Sequence, residues 1–74
     1  MIKELDQVVL TEDLPEYNLR TGDIGTVVLV HKQSQGFEVE FVTLSGDTVA
    51  VVSLAAVQLR PIGHREIAHA RAIA

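Results

Sequence analysis

The chain has no cysteine and no tryptophan, only two prolines, and three aromatic residues, Tyr17, Phe37 and Phe41, among its 74 residues. Without cysteine there is no disulfide and no thiolate metal site. A domain this small then has to find its stability in packing or in association. Its longest unbroken apolar runs are four residues, as at Val27–Val30, far short of the roughly 20 that a membrane-spanning helix needs. Met1-Ile2-Lys3-Glu4-Leu5-Asp6 places acids where a signal peptide has its apolar stretch, so a cytoplasmic location is expected. Bases are scarce as well: six Lys and Arg against ten Asp and Glu give a net charge of −4. A nucleic-acid-binding domain of this size ordinarily carries a basic stripe interleaved with exposed aromatics, and the sequence has no basic run.

What the chain does have is aliphatic. Ile, Leu, Val and Phe make up 26 of the 74 residues, well above the level at which chains stay disordered, so one small globular domain is expected. The charge is uneven. Residues 1–23 hold Glu4, Asp6, Glu12, Asp13, Glu16 and Asp23 against Lys3 and Arg20, whereas residues 24–74 hold four acids and four bases. All of the net charge therefore lies in the first third.

Punctuation by Gly and Pro divides the chain into short strands. Residues 5–11 are rich in branched side chains and read as a first strand. Residues 12–23 show neither strand nor helix period and form a long loop, with Leu14 and Leu19 expected to tuck inward and pin it. Residues 24–31 are a second strand, in which Gly25 marks a bulge or a close backbone approach. Residues 37–42 alternate cleanly, with Phe37, Val39 and Phe41 on one face and Glu38 and Glu40 on the other. Residues 48–53 are a fourth strand, 54–57 a short helical turn, and 58–62 a brief last strand whose Pro61 restricts it to an edge or an end. Residues 64–74 contain four alanines, which favour helix. Ile67, Ala70 and Ala74 would share one helical face. The fold class expected is all-β: a small five-stranded SH3-like barrel over residues 1–62 with a short C-terminal α-helix in the extension 63–74.

Gly22-Asp23-Ile24-Gly25-Thr26-Val27-Val28 resembles the Gly-x-x-Gly-x-Val core of KOW-type SH3-like barrels. The wider string runs from Leu5-Asp6-x-Val8-Val9-Leu10-Thr11-x-Asp13-Leu14-Pro15, through Phe37-x-Val39-Glu40-Phe41, to Leu59-Arg60-Pro61. It is similar to a family of short bacterial proteins known only as a domain of unknown function. The resemblance implies a single-domain protein of the kind found in mobile gene cassettes or beside toxin-like genes, with a partner-binding or antitoxin-like role. It supplies no catalytic residues, and the tail after Gly63 lies outside it.

No pattern of catalytic spacing stands out. His64 and His69 are five apart, about 140° around a helix, where a metal pair needs three or four, and no cofactor is expected. Glu12, Asp13, Glu16 and Asp23 could form an acid/base pair only in a cleft that shifts their pKa values. No serine lies in a G-x-S-x-G elbow. A polyproline groove needs several exposed aromatics, and the loop offers Tyr17 alone.

The second and fourth strands are apolar on both faces, which reads as cover on both sides. If Val49 and Val51 point inward, then Ala50, Val52 and Leu54 point outward, or the reverse. Either way a helix or a second subunit should cover the outer set. The expected function is a non-catalytic protein-interaction module that self-associates as a dimer or higher homo-oligomer and binds an unidentified protein partner. Its binding residues are expected among Glu12, Asp13, Glu16, Tyr17, Ala50, Val52, Leu54, Ile67, Ala70 and Arg71. The alternatives are a KOW-like nucleic-acid-binding module and a small enzyme using the loop carboxylates.

Overall fold

The computed structural model describes residues 1–73 and contains five strands: β1 (Gln7–Leu10), β2 (Ile24–Val30), β3 (Phe37–Val42), β4 (Thr48–Leu54) and β5 (Leu59–Pro61). They form one antiparallel sheet in the order β4-β3-β2-β1-β5. Single turns of 3-10 helix at Pro15–Tyr17, Lys32–Ser34 and Ala56–Gln58 punctuate the connections. The strand bounds differ from the sequence reading by one or two residues, and β3 agrees with it throughout.

The alternation of β3 decides which face carries the core. Phe37, Val39 and Phe41 are buried, and their register partners on β4 are Leu54, Val52 and Ala50. Val39 also pairs with Val27, while Val8 and Leu10 of β1 pair with Gly25 and Leu59 on either side. Leu14 and Leu19 close the core from the long loop, bridged to each other backbone to backbone, as expected of residues that pin it. Val52 and Leu54 from one sheet edge share this cluster with Leu59 from the other. The sheet is therefore strongly curved, wrapping its two edges toward one core. Among the described residues no ladder joins β4 to β5.

Two expectations are corrected. First, β4 adopts the parity that buries Val52 and Leu54 and half-buries Ala50, with Val51 outward. Those three predicted partner-binding residues are core residues or packed on the core. A register shift between Phe41 and Val42 inserts Val49 as an extra residue, which packs against the core with Ala50 while Val51 stays exposed. Second, the tail after Pro61 is not helical. It makes one turn at His64–Arg65 and is otherwise irregular. Ala74, the last residue of the expected helical face, lies outside the described residues. A helix this short is marginal in water. The tail is also held at Glu66 and Arg71.

Gly25 sits where β2 passes closest to β3's side chains. A Cβ built there would lie 2.5 Å from Val39 Cγ1 and 2.8 Å from Phe41 Cε1. Both neighbours are buried ring or methyl groups with little room to retreat. The sequence reading expected a bulge or a close backbone approach; what comes close at Gly25 is side chains of the core. Replacing Gly25 with Ala should destabilise the domain by about 1–3 kcal/mol, the usual cost of overpacking. Urea denaturation checks this, and an unchanged midpoint would contradict it.

Candidate functional site

Val9 is the residue the core does not explain. Its neighbours Val8 and Leu10 point into the core, so strand geometry points Val9 the other way. Its register partners are Arg60 on β5 and Ile24 on β2. Yet Val9 is only 4% exposed. The cover comes from the tail, which folds back across the outer face as a strap over β5, β1 and β2.

Two arginine–carboxylate clamps hold the strap. Near its start, Arg60 Nη1 and Nη2 donate to Glu66 Oε1 and Oε2 at 2.7 and 2.6 Å, and the Gly63 N–H donates to the same carboxylate. Near its end, Arg71 Nε and Nη2 donate to Asp23 Oδ1 and Oδ2 at 2.8 and 2.5 Å, and Nη2 also reaches the Asn18 carbonyl at 2.9 Å. Both pairs have the bidentate geometry in which arginine binds carboxylate best. Asp23 is further fixed by the Arg20 N–H at 2.8 Å. Partial burial pushes the Asp23 pKa up, but the hydrogen bonds from Arg71 and Arg20 and their charges outweigh it, and the carboxyl lies below its ordinary value. Glu66 is held at about 2 by its hydrogen bonds from Arg60 and Gly63.

Between strap and sheet lies a groove of about 880 Å³, floored by Val9, Ile24, Val42 and Val49 and walled by Ile62 and Ile73. The strap fills it poorly. Ile67 is 93% exposed and Ala68 and Ala70 are exposed too. The groove is thus apolar at its base, with Asp23 at one end and Arg60 at the other.

The remaining predicted residues scatter around this site. Arg71 is in it. Ala70 and Ile67 border it without packing into it. Glu12 accepts from Gln58 Nε2 at 3.0 Å, tying the long loop to the turn before β5. Asp13 accepts from the Thr21 N–H and hydroxyl at 2.8 and 3.0 Å. Those two bonds lower its pKa. Glu16 and Tyr17 lie on the exposed 3-10 turn of that loop. The loop carboxylates with a resolved shift, Asp13 and Asp23, therefore move the wrong way for a general acid near neutral pH.

On the same outer face but at β3, Glu38 Oε2 accepts from Ser53 Oγ at 2.6 Å and lies 2.6 Å from His31 Nε2. These bonds, Ser53 first, lower the Glu38 pKa. Serine, histidine and acid are together, but the acid stands between the other two, so the histidine is not placed to take the serine proton. Among the described residues no three His, Asp or Glu side chains converge as a metal site would require.

Three features were missed by sequence reasoning: Val9 as an outward, covered residue, the Arg60–Glu66 clamp, and Asp23 as the seat of Arg71. Sequence signals for the last exist in the acidic first third and in the arginines of the tail.

The chain belongs to the family described as Domain of unknown function (DUF4926), whose model matches residues 4–61. The match ends where the strap begins. No curated protein and no solved structure matches the chain.

The clamps give the strap a defined pH dependence. Glu66 has its pKa lowered from an ordinary 4.5 to about 2, so the released tail binds protons more readily than the docked one. The clamp's contribution is complete above about pH 4.5 and is lost as pH falls toward 2. Carboxyl chemical shifts should report a Glu66 midpoint near 2. A midpoint at 4.5 would mean that the clamp is not closed in solution.

Proposed function

From membership of a family whose description names no activity, we propose that this chain is a non-catalytic protein-interaction module that assembles with a second copy of itself through the free edge of β4. The observation that carries the reading is the contrast between the two sheet edges. β5 is three residues long and contains Pro61, two of the usual devices that blunt an edge. β4 is seven residues, Thr-Val-Ala-Val-Val-Ser-Leu, without a charge, a proline or a glycine. Among the described residues no strand pairs with its outer side. An edge of that composition is a template for another strand.

A two-fold antiparallel pairing centred on Val51 fits its own partner. Val51 meets Val51, Ala50 meets Val52, and no charged side chain opposes another. The nearest like charges are the Glu40 residues, each one strand in from Val51. They would stand three strand spacings apart, about 14 Å, beyond the Debye length of ~8 Å at physiological salt. The curvature of the sheet supports reading the fold as a small SH3-like barrel left open between β4 and β5, so that the opening itself exposes the edge. The lowered loop carboxylates and the misordered Ser53, Glu38 and His31 support the non-catalytic part. A nucleic-acid interface is less well supported, because Arg60 and Arg71 are committed to Glu66 and Asp23.

Light scattering on the purified chain should give twice the mass of one chain. Val51 is 54% exposed and points away from the core, so Val51→Lys should keep the parent's far-ultraviolet circular dichroism and give a monomer. A monomeric parent, or a Val51→Lys variant that still dimerises, would overturn the reading.

A further inference from the structure

The strap raises a separate question: what a groove so loosely filled by its own chain is shaped to hold. It has three properties of a peptide-binding surface. Its floor of Val9, Ile24, Val42 and Val49 is aliphatic, and a carboxylate closes one end. Asp23 is held rigidly, with its side chain 18% exposed and one oxygen already bonded to the Arg20 N–H. Its occupant in the structure is an irregular segment held there by a bidentate arginine.

The fit of that occupant is poor everywhere else. The side chains that run past the floor are Ala68 and Ala70, and about 880 Å³ stays open between strap and sheet. Ile67, the one large aliphatic in mid-strap, is 93% exposed and leaves the groove unfilled. The strap is thus fastened by charge at its two ends, while its middle residues Ile67, Ala68 and Ala70 stay exposed. Such a segment is readily displaced by one that keeps the arginine and fills the floor.

We propose that the groove is a receptor for an extended segment of a partner protein, in which one arginine is preceded by bulky aliphatic residues, and that the chain's own tail is a built-in stand-in for it. Recognition has two parts. Asp23 takes the guanidinium as a fork, which selects arginine over lysine because only the planar group makes both bonds at once. The aliphatic floor takes bulky aliphatic side chains from the residues just before the arginine, where the tail brings Ala68 and Ala70 to the groove's lining. The tail weakens every such partner by competing for Asp23, so that binding requires the strap to open. This surface is distinct from the β4 edge and stands without the self-association reading.

The test uses the full chain and a fluorescently labelled synthetic peptide that copies residues 64–73, titrated by polarisation. The Arg71→Ala chain has lost the cis competitor. A strap closed about nine-tenths of the time would make its affinity about tenfold tighter than that of the unaltered chain. A peptide carrying Ala68→Leu and Ala70→Leu should bind the Arg71→Ala chain tighter still. Combining Asp23→Asn with Arg71→Ala should remove binding, and so should a peptide with Gln for its arginine, which leaves the protein untouched and so controls for misfolding of that variant. No binding of either peptide to the Arg71→Ala chain would overturn the proposal. Equal binding of the arginine and glutamine peptides would also overturn it, as would no gain from Ala68→Leu and Ala70→Leu.

Discussion

Strand β1 has to be covered on both faces, and one small core can cover only one of them. Val8 and Leu10 take the inner side. Val9 is left facing out in the row Arg60–Val9–Ile24. Fully burying an aliphatic side chain of this size is worth roughly 1.5–3 kcal/mol, too much for a 74-residue domain to forgo lightly. The chain meets the need with its last dozen residues. The strap has too few large side chains to hold itself by packing, and the Arg60–Glu66 and Arg71–Asp23 pairs therefore fasten it. The tail's irregular path, the low pKa of Glu66, the fixed position of Asp23 and the groove itself all follow from that arrangement.

The same constraint explains why the sheet's two edges differ. Covering β1 and β5 uses up the tail, so the β5 side of the sheet is protected by a strap, a proline and its own brevity. Among the described residues no strand pairs with the outer side of β4. In the proposed assembly a second copy supplies there what the tail supplies at the other end, and the module becomes two strapped sheets joined edge to edge. The family match ends at residue 61, close to where the strap begins. The strap thus lies outside the matched residues, whereas the groove's floor lies within them.

Much of the fold was legible in the sequence because its signals are local. The alternation of Phe37, Val39 and Phe41, the turn at Gly46 with φ +100°, the inward Leu14 and Leu19, and Pro61 at an edge each depend on a few neighbouring residues. The failures are non-local. Both parities of β4 are apolar, and only its register against β3, with Val49 inserted, decides that Val52 and Leu54 go in. Alanine content points the tail toward helix, but the tail is irregular and is anchored at Arg60, six residues before Glu66, and at Asp23, 48 before Arg71. The attraction between acidic loop and basic tail was visible as charge, but whether it closes within one chain depends on the reach of the tail, which no composition encodes. Asp23 was read as one acid among several in the loop. Its distinction is that a backbone N–H and an arginine converge on it.

The central claim is that the outer edge of β4 is occupied by a second copy. Hydrogen exchange at the β4 amides, followed at low and at high protein concentration, tests it most directly. On this account the amides that point away from β3 exchange quickly in dilute solution and slow markedly as concentration rises, while those bonded to β3 change little. Outward amides that exchange at the same fast rate at every concentration would contradict it.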